Sequence, residues 1–199
     1  MDPAKKKYLL PIVAIVVAGL VLFSVYVFVT YARTPTTLAA QSQAPAFYLS
    51  AAAQATSTAS TEPRTPPRGY TEYQNTTYGF SLFYPSDLSL SVSNGGGDSE
   101  TIVLQDVKTV RGFQVFIVPY SGTQVTEQRF LEDEPSGVSD DLQNITVDGA
   151  AAAAFYSTDP DLGDTYEAWF IHGGYLYEVT TLKPLASWLS QIMETWQFT

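Results

Sequence analysis

The chain has 199 residues, room for one domain with attachments, and its lack of cysteine excludes disulfides, thiol catalysis, Cys-ligated zinc and iron–sulfur clusters. Its formal charge of −10 is unevenly spread: residues 1–69 carry six basic and two acidic side chains, residues 70–199 four basic and eighteen acidic, or +4 against −14. So acidic a segment repels phosphate backbones, which excludes nucleic acid as an expected partner.

The first element is "KKKYLLPIVAIVVAGLVLFSVYVFVTYAR". Residues 8–31 hold no charge, and as a helix they would span about 36 Å, enough for a bilayer core of about 30 Å with some tilt. Tyr8, Tyr26 and Tyr31 fall near the two ends, where amphipathic rings favour the interface, and Pro11 falls in the tolerant first turn. Lys5, Lys6 and Lys7 precede the span while only Arg33 closely follows, so the N-terminus is expected in the cytoplasm and the rest outside. The apolar run exceeds the roughly 7–15 residues of a signal peptide, which predicts a retained anchor despite the small residues at 38–40. Residues 1–33 are therefore read as a short cytoplasmic tip and a transmembrane helix, with the lipid bilayer as first partner.

From residue 34 to residue 69 the chain turns to Ala, Thr, Ser, Gln and Pro, as in "AAAQATSTASTEPRTPPRG". Little apolar surface is available there to offset the entropy of ordering, so a flexible tether is expected, with a reach of about 35 Å.

Past residue 70 the period becomes two. "YGFSLFYP" puts Tyr78, Phe80, Leu82 and Tyr84 on alternate positions, one face of a strand. Further strands are expected at 88–92, 101–107, 112–118, 142–147, 151–156, 166–172 and 175–182, with "NGGGDS" and Asp148-Gly149 as turns. In "YEAWFIHGGYLYEVTTL" a two-residue Gly173-Gly174 turn would set His172 opposite Tyr175, Phe170 opposite Tyr177 and Ala168 opposite Val179. Ile171 with Leu176 and Trp169 with Glu178 would share the other face. Both faces are then partly apolar, and both need covering.

Two segments can supply helices. In "VTEQRFLEDEP" Thr126 is a suitable N-cap, with Val125 placed to staple onto Phe130. In "PLASWLSQIMETW" Leu185, Trp188, Leu189, Ile192 and Trp196 share a helical face. The expected fold class is α+β, an antiparallel sheet flanked by helices in an α/β/α sandwich.

"YGFSLFYPSDLSL" resembles the opening of the PsbP-like domain, the family of the photosystem II extrinsic subunit P. "NITVDGAAAAAFYS" is similar to that family's middle hairpin, and "SQIMETWQF" to its closing helix and final aromatic-flanked strand. The resemblance covers residues 70–199. It implies an antiparallel sheet between helices, on a bacterial protein held at the membrane with the domain outside it.

Little chemistry is legible. His172 is the only histidine, and the nearby Ser157 and Asp159 carry no motif that would make a triad with it. "DPDLGDTYE" gathers Asp159, Asp161, Asp164 and Glu167, oxygen ligands of the kind calcium needs, but without the EF-hand spacing. "EDEPSGVSDD", residues 132–141, is a second acidic stretch, expected like the first to be a solvated loop. No catalytic, cofactor-binding or metal-binding residue is assigned on this basis, and no cofactor is expected. The expected function is a non-catalytic, membrane-anchored extracytoplasmic binding or accessory domain of a bacterial envelope complex, with an unknown envelope protein as partner. The alternatives are an envelope-polymer hydrolase using acidic residues and a calcium-dependent adhesion or stability module.

Overall fold

Turn chemistry sets much of the topology. In the computed structural model, which describes residues 64–199 apart from Gly97, Asp148 and Gly149 both adopt left-handed φ values, 44° and 81°. They close a two-residue turn between strands β6 (Asp140–Val147) and β7 (Ala150–Asp159), with Val147 opposite Ala150. Gly173 and Gly174, at 60° and 85°, do the same between β8 (Gly163–His172) and β9 (Tyr175–Leu182). The register of that hairpin is the expected one, with His172 facing Tyr175, Phe170 facing Tyr177 and Trp169 facing Glu178.

These four strands form one half of a seven-stranded antiparallel sheet. The other half is β3 (Ser89–Gly96), β4 (Ser99–Asp106) and β5 (Arg111–Pro119), and the halves join where β5 pairs with β9. The sheet order is β3-β4-β5-β9-β8-β7-β6, which leaves β3 and β6 as its edges.

A second sheet was not expected. β1 (Tyr70–Asn75), β2 (Phe80–Pro85) and β10 (Gln197–Phe198) form a separate three-stranded antiparallel sheet with β2 in the middle. The architecture is therefore mostly β, two antiparallel sheets with two short helices, in place of a single sheet between helical layers. The reason lies in β2, whose Phe80 and Leu82 are buried against the large sheet, so this strand packs across it instead of joining its edge.

Helix α2 (Ala186–Met193), entered through a 3-10 turn at Lys183–Leu185, lies on the same side as the small sheet. It buries Ala186, Leu189, Ile192 and Met193, while Trp188 is half-buried with its ring edge-on to Phe113. Trp196 was expected on this helix face but lies beyond it. The chain turns after Met193, as the Thr195 hydroxyl donates to the Ile192 carbonyl and the Trp196 N–H to the Met193 carbonyl. Trp196 then stacks on Phe80 at 4.3 Å and meets Phe170 edge-on at 5.2 Å, which ties small sheet to large.

The opposite side of the large sheet carries helix α1 (Glu127–Asp133). Thr126 caps it as expected, its hydroxyl accepting from the Arg129 N–H at 3.1 Å. Phe130 is fully buried among Val125, Phe155 and Trp169, which stabilises the contact by about 1.5–3 kcal/mol. A seven-residue helix has little stability of its own, so Thr126→Ala should cost about 1 kcal/mol in a denaturant melt.

Upstream of β1, Arg64 lies over the Phe83 ring at 4.1 Å and donates to the Thr195 carbonyl. The expected anchor at residues 8–31 and the tether up to residue 63 lie outside the described residues. No helix among the described residues is long and apolar enough to cross a membrane.

Candidate functional site

His172 ends β8 with its ring stacked on Phe198, centroids 3.5 Å apart. Burial holds its pKa below the ordinary value, and Asp148 pulls the other way. Ser157 pairs with Thr165, seven residues earlier on β8, which is about 23 Å along a strand and on the opposite face. His172 and Ser157 are therefore not brought together.

The four carboxylates of "DPDLGDTYE" are also separated. Asp159 accepts the N–H groups of Asp161 and Leu162 at 2.7 Å and shapes its own turn. Asp164 sits 3.7 Å from the Lys183 ammonium. Glu167 leaves the loop and points into the protein. Among the described residues, no three His, Asp or Glu side chains converge to hold a metal ion.

The second acidic stretch divides in the same way. Asp140 and Asp141 lie exposed on the β6 edge, whereas Asp133 and Glu134 turn inward beneath α1. There they meet Glu167 from β8 and Glu178 from β9. Glu134, Glu167 and Glu178 are 7%, 4% and 7% exposed, so these are buried carboxyls. Arg129 is the cation among them: it bonds the Asp133 carboxylate through two nitrogens and lies 3.8 Å from Glu178. Thr180 donates to Glu167 at 2.7 Å, with the Trp169 indole N–H at 3.4 Å. Ser136 donates to Glu134 at 2.7 Å, and Ser157 lies 3.2 Å from the Ser136 hydroxyl.

Asp133 and Glu178 share the Arg129 guanidinium, while Glu134 and Glu167 are buried against neutral partners, so these carboxyls cannot all ionise cheaply. Burial pushes the Glu167 pKa up to about 7, and pushes Glu134 up as well. Asp133 and Glu178, which face the same guanidinium, are raised by burial too, Glu178 strongly. Burial favours the protonated forms, and the contacts of Arg129 with Asp133 and Glu178 pin α1 to the sheet. Sequence reasoning missed Glu134 and Glu178 as members. The available signal was a glutamate, Glu178, facing Trp169 in the middle of an apolar strand.

Elsewhere the α1 side of the sheet is open. α1 covers β7, β8 and β9, and no described helix covers β3, β4 and β5. Because Ile102, Leu104, Phe113, Val115 and Ile117 point into the main core, their alternates point to this open side. They are Thr101, Val103 and Gln105 on β4 and Gln114 and Phe116 on β5, all partly exposed, bordered by Ser89, Ser91 and Ser93 on β3, while Val118 on β5 packs against the cluster beneath α1. None of these side chains is charged, in a segment whose balance is −14. A shallow polar groove lined by Asp141, Gln143, Tyr156, Tyr166 and Ser190 lies between α2 and strands β6, β7 and β8.

Comparison with solved structures finds similarity to cyanobacterial PsbP (CyanoP) from Synechocystis sp. PCC 6803, at 13% identity and a TM-score of 0.48. The match covers 71% of this chain and 99% of that one. No protein-family model matches the sequence, and no curated protein does.

Proposed function

We propose that the chain is a single-pass bacterial membrane protein whose C-terminal domain stands outside the cytoplasm and works by binding, as a non-catalytic accessory of an envelope complex. The observation that carries this reading is the uncharged open half of the large sheet. Spread evenly over residues 70–199, eighteen acids would put about one on a face of eight positions, and this face carries none. Keeping that face free of charge while retaining Val103 and Phe116 leaves a surface that a protein partner can cover without desolvating an ion. The acidic surroundings repel phosphate backbones and favour a partner that is neutral or basic at its rim. The anchor is argued from residues 8–31 alone, and the tether would give the domain reach along the membrane.

Two measurements test the two parts separately. Because the chain has no cysteine, Leu162→Cys, at a 56% exposed position, offers one thiol for a membrane-impermeant maleimide. Labelling of intact cells supports the placement, and labelling only after lysis overturns it. A photo-crosslinker at Val103 or Phe116 should give discrete adducts with an envelope protein, and one at Gln128 on the outer face of α1 should not. Equal or absent adducts at all three positions would remove the binding face.

A further inference from the structure

We propose that β3 is a homotypic interface through which two copies of this chain pair edge to edge, antiparallel about Ser91. This strand is exposed at all eight positions and has a sheet neighbour, β4, on one side only among the described residues. An unpaired edge of this length normally carries a device against association, such as a charge, a proline or an irregularity. The opposite edge has such devices. β6 presents Asp140 and Asp141, its pairing with β7 slips between Asp140 and Gln143, and Asp141 adopts a left-handed φ of 53°. β3 has neither charge nor proline; its one irregularity, between Asn94 and Gly96, lies at its far end, and the ladder to β4 is regular from Ser89 to Asn94.

The occupant follows from the pattern Ser89-Leu90-Ser91-Val92-Ser93. An isologous contact requires a surface complementary to itself. A two-fold axis at Ser91 sets Leu90 opposite Val92 of the second copy, and Val92 opposite its Leu90. On the other face, serine meets serine at every step. Leu90 and Val92 face the core side, opposite Leu104 and Ile102, yet remain 41% and 49% exposed because the covering layer ends before this strand. Cross-strand pairing would cover both. No like charges would be set opposite one another within the paired segment. A foreign strand would have no need of this symmetry.

Pairing would also join the two uncharged half-faces into one continuous surface. The proposal itself rests on the edge strand, and stands whether or not that face binds anything. Edge pairing buries less than a standard interface, and two acidic domains repel, so the dimer should be weak and strengthened by salt.

Single cysteines in the otherwise cysteine-free full chain, in detergent micelles or membranes, read the register directly. At a two-fold axis residue 91 faces its own copy with Cα atoms roughly 4.5–5.5 Å apart, within disulfide reach. Ser91→Cys should give disulfide-linked dimer under mild oxidant, at least about tenfold faster than the Leu162→Cys control. Ser89→Cys and Ser93→Cys should link poorly alone, since each lies about 14 Å from its own copy, and efficiently when mixed. Adding Leu90→Lys and Val92→Lys to Ser91→Cys should abolish the crosslink, with an unchanged tryptophan-fluorescence melt showing that the fold persists. A Ser91→Cys chain that is folded by that melt and links no faster than the control overturns the proposal and leaves the edge to a foreign strand. Equal rates at positions 89, 91 and 93 overturn it as well, because they report parallel pairing or collision.

Discussion

Raising the pH from 5 to 8 is expected to weaken the domain by on the order of 2–3 kcal/mol through Glu167 alone. In the unfolded chain this carboxyl loses its proton near pH 4.5; in the folded domain burial retains it to about pH 7. The folded state therefore binds more protons across that window. Its stability is full below the unfolded value, falls as the pH rises, and levels off above the folded one. Glu134 and the Asp133–Glu178 pair, raised by the same cause, add with the same sign. His172 opposes them, since its folded pKa is lowered, but it is only half-buried and is a single group.

Urea unfolding is a clean measure because the chain's three tryptophans, Trp169, Trp188 and Trp196, all lie in this domain. Glu167→Gln keeps an acceptor for Thr180 and removes the titration. The variant should match the parent at pH 5 and exceed its stability at pH 8. A parent whose unfolding midpoint is unchanged between these pH values would show that the carboxyl cluster is not held protonated. The first part of the fold to feel the ionisation should be α1, since Arg129 and Asp133 bind it to the cluster.

Trp196→Ala is expected to cost about 3–5 kcal/mol, a large share of the 5–15 kcal/mol that holds a typical domain. Trp196 is 2% exposed and its ring touches Phe80, Phe170, Tyr177 and Phe198, so it joins both sheets. Its indole N–H is buried without an acceptor, which makes the ring, and not the polar atom, responsible for the contact's value. Trp196→Phe should consequently retain most of the stability. Hydrogen exchange should speed up first in β2 and β10 of the alanine variant, because those strands lose their main attachment. Equal losses for the two variants would mean that volume alone does not explain the site.

The local signals were strong where neighbours in sequence are also neighbours in space. The Gly173-Gly174 hairpin shows this, as a two-residue turn leaves one register for the flanking strands. The Thr126 cap is another case, with donor and acceptor three residues apart. The strand runs were legible from their period of two, although β3 extends into the glycines that read as a turn, ending at Gly96. The carboxyl cluster was not legible. Asp133 and Glu134 come from a helix end, and Glu167 and Glu178 from two strands. They meet only after α1 folds onto the sheet.

The amino-acid sequence alone determined the acidic, cysteine-free character of the domain, the strand period, the tight turns and the helix cap, because each depends on residues within a few positions. Tertiary structure decided the rest. β10 has two residues and no propensity to speak of; it exists because Trp196 lands on Phe80 and brings Gln197 and Phe198 beside β2, more than a hundred residues earlier in the chain. Together with the burial of Phe80 and Leu82 against the large sheet, that contact keeps β2 and β10 in a sheet of their own. The covering of one half-face and the exposure of the other, like the burial of Glu167 and Glu178, follow from where one short helix comes to rest.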